Sequence, residues 1–428
     1  MLEKNYNILL SLNLSHKNIT VNDIINEVNS TLKNTATQLI GTVINDIQEE
    51  ILTHYLGSKW NELANKNVPW ICPHCLENSR FVRRGRRERK LKTSNGTINF
   101  YLYQTTCLAC KKTFSPFPQL LGLKPRIRIS TEFEEKLIKL AFNNSYNKVS
   151  DYTLLFNGVS LSATTTRNIV NRTAEKINFR LLSTQYETIL LDGTKVKSSG
   201  LERGIDLHLA LSPIKKTIKN GREYNEKQLI GLSVSDSTKS IRRQLSGIQC
   251  KNVIVDGDKQ YKNIAQDTLR NATYKRCLWH IPRNLNHLLY FEHVHVNERK
   301  PIIKELVKIL KIEDFIEAQV KYLDFMFWFK KVNMMPIYKY LKEAFNGVFT
   351  NKNTWNKKDE HKTNSLIERE MREINRRADN GCSWSELGIQ NLMKLTLIHK
   401  YSKNNWDVYF KQNKRPAMEI LQATLCSL

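Results

Sequence analysis

The sequence predicts an α/β protein: a mixed sheet with helices on its faces, preceded by a small cysteine-rich β unit and by helical segments. Three observations carry this. Apolar runs of strand length at 188–191, 206–211, 228–234 and 252–255 come first in succession and then alternate with helical stretches. Two CxxC pairs bracket an alternating segment that holds a hairpin turn. Over 20–56, Ile24, Ile25, Val28, Leu32, Ile40, Val43, Ile44 and Ile51 recur at helical steps. A chain of 428 residues has room for two or three domains, and its 40% of hydrophobic residues can fill their cores.

Charge narrows the partners. Lys and Arg total 67 against 41 Asp and Glu, a formal net charge of +26. Phosphate backbones and anionic membranes are the surfaces that such an excess fits. No apolar run reaches the length of a membrane span. The opening MLEKNYNILLSLNLSHKN carries charge at once and no cleavage site, so it does not read as a signal peptide. Nucleic acid is the favoured partner, and a cytoplasmic, nucleoid-associated location is expected, with no membrane contact.

The elements follow in order. The apolar stripe of 20–56 gives a helix serving as a small domain's core or as a self-association surface, within an N-terminal helical region at 1–66. At 67–120, Thr97–Tyr103 alternates, Asn95-Gly96 is a preferred tight turn, and Pro116 and Pro118 close the unit. Within 128–182, Ser130-Thr131-Glu132 starts a helix to Asn143. A short segment at Val149–Phe156, a turn at Gly158 and a helix from Ser162 to Ile177 complete a helix-turn-helix-like reader, or an ordinary helical linker. From 185 to 428 lie the four apolar runs. Helices are expected at 237–245, at 260–270 and from Pro282, a strand at 273–279, an all-helical stretch at about 296–350, and a last helical region from 364.

Cys72-Pro-His-Cys75 and Cys107-Leu-Ala-Cys110 each offer two thiolates from one tight turn, the donor set of a structural Zn²⁺. No βαβ context supports a redox pair. His74 is a bystander, and Cys250, Cys382 and Cys426 read as incidental thiols. Between the pairs, Arg83, Arg84, Arg86, Arg87, Arg89, Lys90 and Lys92 put seven cations into ten positions. On a metal-stapled hairpin these make a phosphate-binding face of a zinc-ribbon DNA-binding domain.

Two aspartates end strand-like runs, each followed by glycine: Leu191-Asp192-Gly193 and Val255-Asp256-Gly257. A bare carboxylate is costly inside a sheet, so acids at strand ends point to a functional edge. Phosphoryl transfer with two magnesium ions needs oxygen donors of this kind. A third acid lies in Thr363-Asn-Ser-Leu-Ile-Glu368-Arg-Glu-Met-Arg-Glu-Ile-Asn-Arg-Arg377, where the pattern alone does not choose between Glu368 and Glu370.

That last segment resembles the signature around the catalytic glutamate of Mutator-type bacterial and archaeal insertion-sequence transposases, which carry a DDE catalytic triad. Cys277-Leu-Trp-His280-Ile-Pro-Arg283-Asn284 is similar to the same group's CxxH segment, and Ser383-Trp-Ser-Glu-Leu-Gly388 to the tail of related proteins. Asp192 and Asp256 fall where its aspartates would, with Asp258 a competitor. The resemblance implies a ribonuclease H-like core with a helical insertion. Asp192, Asp256 and Glu368 would hold Mg²⁺ (or Mn²⁺), and Cys277, His280 and Arg283 would support the site. Cys277 and His280 also have the look of a second zinc half-site, but no CxxC partner follows, and the structural or site-supporting role is the favoured one. Trp279 reads as a buried aromatic ahead of a base-stacking one. The implied activity is a transposase's: binding terminal inverted repeats on double-stranded DNA, cutting the ends and joining them to target DNA. Holding two ends together implies a homodimer or higher homo-oligomer. The rivals are a nuclease on the same core and a domesticated, non-cutting derivative that acts as a zinc-dependent DNA-binding regulator.

Overall fold

The computed structural model describes residues 6–8, 20–57, 68–77, 80–123, 126–178, 183–197, 204–219, 222–235, 237–350, 363–379 and 384–412. Cys382, Ser383 and Cys426 lie outside them. The protein is a mixed α/β chain with two sheets, divided into two compact units: residues 1–173 with 404–428, and residues 174–403.

In the first unit, α1 (Val21–Leu56) starts at a capping box, in which Thr20 and Asp23 satisfy each other's backbone N–H groups. Its C-terminal half buries Ile51, Leu52 and Leu56, whereas Val21, Ile24, Ile25 and Leu32 remain exposed. β1 (Phe81–Thr93) and β2 (Gly96–Cys107) form the expected hairpin, with Thr93 opposite Gly96. β3 (Thr113–Phe114) covers β2 only at Thr105 and Thr106. The rest of that edge would be a bare row of backbone groups. α1 covers it: Asn45 accepts from the Tyr101 N–H at 2.8 Å, and Gln48 both accepts from Tyr103 N–H and donates to Tyr101 C=O. Gly41 permits this approach, since a Cβ there would lie 2.4 Å from the Asn99 carbonyl oxygen. Phe81, Phe100, Leu102, Trp70, Leu56 and Phe117 close the core beneath, each such side chain contributing roughly 1.5–3 kcal/mol by burial.

The unit continues through α2 (Phe117–Leu120), α3 (Thr131–Ala141), α4 (Tyr146–Asn157) and α5 (Ala163–Lys176). Gly158 ends α4 in the left-handed conformation, φ 65°, as a helix stop. The Asn157 side chain and the Lys92 ammonium then fasten the end of α4 and the following Ser160 to the hairpin.

In the second unit the sheet is built from β4 (Gln185–Val196), β5 (Ile205–Lys219), β6 (Arg222–Val234), β7 (Gln249–Val255) and β8 (Thr273–Arg276), with α6 (Lys239–Leu245) and α7 (Lys259–Thr268) between the later strands. The spatial order is β6-β5-β4-β7-β8, antiparallel among the first three and parallel from β4 to β8. Alternation sends Ile189 and Leu191 of β4, with Val253 and Val255 of β7, into a core under α6 and α7. α8 (His280–Phe291), α9 (Val296–Ile309), α10 (Phe315–Lys331) and α11 (Met335–Val348) share a separate helical core around Tyr322, Phe329 and Leu341. α12 (Ser365–Ala378) packs on β4 and α13 (Glu386–Tyr401) on β6; the short α14 (Lys403–Gln412), from Asn404 onward, belongs to the first unit.

Three expectations are corrected here. β4 does not stop at Asp192 but runs on to Val196, because β5 keeps pairing with it from Gly193↔His208 to Val196↔Ile205. Only its parallel pairing with β7 ends at Leu191↔Val255. β8 likewise ends at Arg276, and α8 begins at His280 rather than Pro282.

Candidate active site

Register assembles the acids. Leu191 pairs with Val255 across the parallel β4–β7 ladder, so the next residue on each strand, Asp192 and Asp256, leaves the ladder side by side. Val255 also pairs with Arg276, which sets Cys277 beside Asp256. Period-two alternation turns Asp192 and Thr194 away from α7. Thr194 confirms the direction by exchanging hydrogen bonds of 3.0 and 2.8 Å with Asn375 of α12. α12 brings Glu368 to the same place.

The electrostatics report this convergence. Asp192 is 7% exposed, and burial, then Asp256, then Glu368 push its carboxyl up to about 7, against the Gly193 N–H and Arg283, which pull it down. Glu368 carries a buried Oε1 with no hydrogen bond and lies 3.5 Å from His280 Nε2. Burial holds the His280 imidazole below its ordinary value even with Glu368 and Asp256 nearby. Mutual repulsion in a buried acid cluster is relieved by a divalent cation, and oxygen donors suit Mg²⁺.

The two open choices part on their partners. Asp258 caps α7, its Oδ1 accepting from the Gln260 N–H at 2.8 Å, and its own N–H donates to Asp256 Oδ1. Glu370 is buried between Lys227 at 3.0 Å and Lys400 at 2.6 Å. Burial would raise its carboxyl, but Lys400, Tyr401 and Lys227 outweigh that and hold it below the ordinary range. Neither is free in the way that Glu368 is.

Several supports carry no signature in the sequence. Asn364, fully buried, donates its side-chain amide to Leu191 C=O and its backbone N–H to Cys277 Sγ, both at 3.2 Å. It thereby ties the start of α12 to the strand ends that bear Asp192 and Cys277. Gly193 stays within the strand, and its role is space: a Cβ would sit 1.8 Å from the Tyr261 hydroxyl. That hydroxyl donates to His208 Nδ1 at 2.7 Å while His208 Nε2 donates to Ser235 C=O. Gly257 does turn the chain out of the sheet, at φ 99°, and a Cβ would collide with the Arg276 guanidinium at 0.6 Å. Cys277, His280 and Glu368 place donor atoms within 4.8 Å of one another, a set that could hold a metal ion, and Glu368 is the third member that CxxH spacing does not show.

The metal-free cluster has a pH signature. An Asp192 carboxyl raised from about 3.9 in the unfolded chain to about 7 when folded binds its proton more tightly in the native state, so stability falls as pH rises between those values. Asp192→Asn is therefore expected to stabilise the metal-free protein at pH 8, on the order of 3 kcal/mol, with the gain vanishing near pH 4. Thermal melts of both proteins across that range, in chelator, measure it. A variant no more stable at pH 8 than at pH 4 would contradict the clustering.

In the first unit, Cys72, Cys75, Cys107 and Cys110 place their sulfurs within 4.8 Å of one another, with Cys72–Cys110 at 3.6 Å and Cys75–Cys107 at 3.7 Å. These gaps are far beyond a disulfide bond and match the roughly 3.8 Å edge of a tetrahedral Zn–thiolate centre. Each pair sits in a tight knuckle followed by a left-handed residue, Leu76 and Lys111, and His74 points to solvent. The four cysteines could bind zinc.

The basic run divides. Arg84, Arg86, Arg87 and Lys90 are exposed on β1, and Arg86 lies over the Tyr101 ring at 4.2 Å. Arg83, expected on the same face, is 5% exposed, forms an ion pair with Glu49 and donates to Gly57 C=O. A bulge between Arg83 and Arg86 separates the two sets. Residues 128–130 hydrogen-bond along β1 at Lys92. This adds Arg126 and Arg128 to Arg87, Arg89 and Lys90 around a groove of about 680 Å³. Those two arginines lie outside the run that drew attention in the sequence.

The chain carries an acid cluster beside the parallel β4–β7 ladder of a mixed sheet, together with a four-cysteine basic hairpin. Residues 13–385 match the family model described as transposase, Mutator family. Over 256 residues the chain is 27% identical to the transposase for insertion sequence element IS905 of Lactococcus lactis subsp. lactis (strain IL1403), covering 57% of this chain and 59% of that protein. The chain thus spans less than two thirds of that relative's length. It belongs to the Mutator family of transposases. Among the described residues no helix is long and apolar enough to cross a membrane.

Proposed function

We propose that this protein is the transposase of an insertion sequence, which binds terminal inverted repeats and catalyses metal-dependent strand cleavage and strand transfer. The observation that carries this reading is the convergence of Asp192, Asp256 and Glu368 in a chain of the Mutator family. The strand order β6-β5-β4-β7-β8, three antiparallel strands followed by two parallel ones, supports a ribonuclease H-like core at 185–428, with the helices within about 296–350 as its insertion. Residues 67–120 serve as a zinc ribbon behind a helical region at 1–66. Residues 128–182 serve as a helix-turn-helix-like reader.

Asp192, Asp256 and Glu368 would hold Mg²⁺ or Mn²⁺, and such an ion would supply Lewis-acid stabilisation to the attacking and leaving oxygens. The chain's own groups do the rest. Asn364 and the Thr194–Asn375 pair keep α12 in register with β4, so that Glu368 meets the aspartates. Arg283 lends positive charge beside Asp192, where an incoming phosphodiester needs it. The exposed cations of β1 and the Arg126–Arg128 groove grip the DNA backbone outside the reacting bonds. Substrates are double-stranded element ends and target DNA. A homodimer or larger homo-oligomer holds two ends, in the cytoplasm at the nucleoid.

The test is cleavage of a labelled duplex carrying the terminal repeat that flanks this coding sequence, with Mg²⁺ or Mn²⁺. Metal-dependent nicking at the repeat boundary supports the reading. Repeat-specific binding with no cleavage in either metal would replace it with the regulator.

A further inference from the structure

Trp279 is not the buried aromatic that the sequence suggests. It is 50% exposed at the N-terminal end of α8 and makes no side-chain capping bond there. Arg283, one turn on, lies over its ring at 5.2 Å. The pair form one wall of a cavity of about 590 Å³, whose other walls include Pro282, Asn286, Leu310 and Lys311. The lining is mostly apolar, and among the described residues its charged members are Arg283 and Lys311. Of the two, Arg283 is also felt by Asp192.

The structure assigns this cavity to an unpaired nucleotide of the DNA being cut: the base stacks on Trp279 and its phosphates meet Arg283 and Lys311. This rests on the transposase reading above and extends it. An indole face left half open to solvent is a stacking platform of the sort that holds single bases, and it is indifferent to sequence because every base has a π-face. Among the described lining residues the charged side chains are the cations Arg283 and Lys311, which suits a nucleotide's phosphates. Trp279 directly precedes His280, whose Nε2 lies 3.5 Å from Glu368 Oε1, so a base taken up there is one beside the scissile bond. Drawing a base from the duplex costs unpairing energy, which a base already unpaired does not pay.

The test uses the full-length protein and two terminal-repeat duplexes, one fully paired and one with a single unpaired thymine at the repeat boundary. Binding is read by fluorescence anisotropy with Ca²⁺ in place of Mg²⁺. The wild type is expected to prefer the unpaired duplex about tenfold, in line with one base–aromatic stack. Trp279→Ala is expected to cut that preference below about twofold and Trp279→Phe to keep most of it, while zinc content and circular dichroism stay unchanged. Equal binding of the two duplexes by the wild type, or a preference that survives Trp279→Ala, would overturn the assignment. Cleavage of the same duplexes in Mg²⁺ reports separately on the transposase reading. A protein that never cuts but shows the Trp279-dependent preference would sink that reading and leave the pocket standing.

Discussion

Glu368→Gln is expected to lower metal-dependent end cleavage by about 10³-fold or more, roughly 4 kcal/mol of barrier, with little change in stability. Glu370→Gln, two residues away, is expected to do the reverse. Glu368 faces Asp192 and Asp256 and has an unbonded buried oxygen, so its removal takes away metal-binding charge and breaks no ion pair that the fold needs. Glu370 is 4% exposed and neutralises Lys227, itself nearly buried, together with Lys400. Taking its charge away leaves Lys227 unpaired in the interior, at a cost of about 3 kcal/mol. Initial cleavage rates and urea melts of the two variants separate the roles. Equal rate losses at both positions, or a silent Glu368→Gln, would mean that the chosen glutamate is wrong.

Loss of the zinc proposed at the four cysteines is expected to be nearly as severe. The hairpin of β1 and β2 is long, its knuckles at 72–77 and 107–112 make few backbone bonds of their own, and Cys72 and Cys107 are fully buried within the core that holds Trp70 and Phe81. Metal at such a site supplies folding energy on the order of 10 kcal/mol. Cys107→Ser, or strong chelation of the wild type, is therefore expected to release bound zinc and expose 68–121 to proteolysis. Binding to end DNA should weaken at least about tenfold, because the exposed β1 arginines lose their scaffold. A zinc-free protein that resists protease there and binds DNA normally would contradict the structural-metal account.

What could be read in the sequence, and what could not, follows the range of the interactions. The hairpin turn at Asn95-Gly96 and the strand runs into Asp192 and Asp256 are local patterns, and the structure places elements at each. The extension of β4 past Asp192 depends on β5, a partner whose pairing no local pattern encodes. Arg83 looks like its neighbours in sequence, and Glu49 and the Gly57 carbonyl, at the far end of the helix up the chain, make it structural. Glu368 and Glu370 share one helix and one signature; they part only because Lys227 on β6 and Lys400 on α13 reach the second. Asp258 resembles a catalytic acid until α7 is seen to start on it. Trp279 departs from its expected burial for a related reason: apolar character predicts burial on average, whereas a helix N-terminus beside a cavity leaves the residue half exposed.

The most direct test of the central claim is strand joining from a pre-cut end. A duplex with a free 3′-hydroxyl at the repeat boundary is mixed with supercoiled plasmid and Mg²⁺, using wild type, Asp192→Asn and Asp256→Asn. The account predicts joined product with the wild type and at least about 10³-fold less with either variant, while all three bind the end DNA alike. Joining that persists in both aspartate variants would show that these carboxylates do not form the reaction centre.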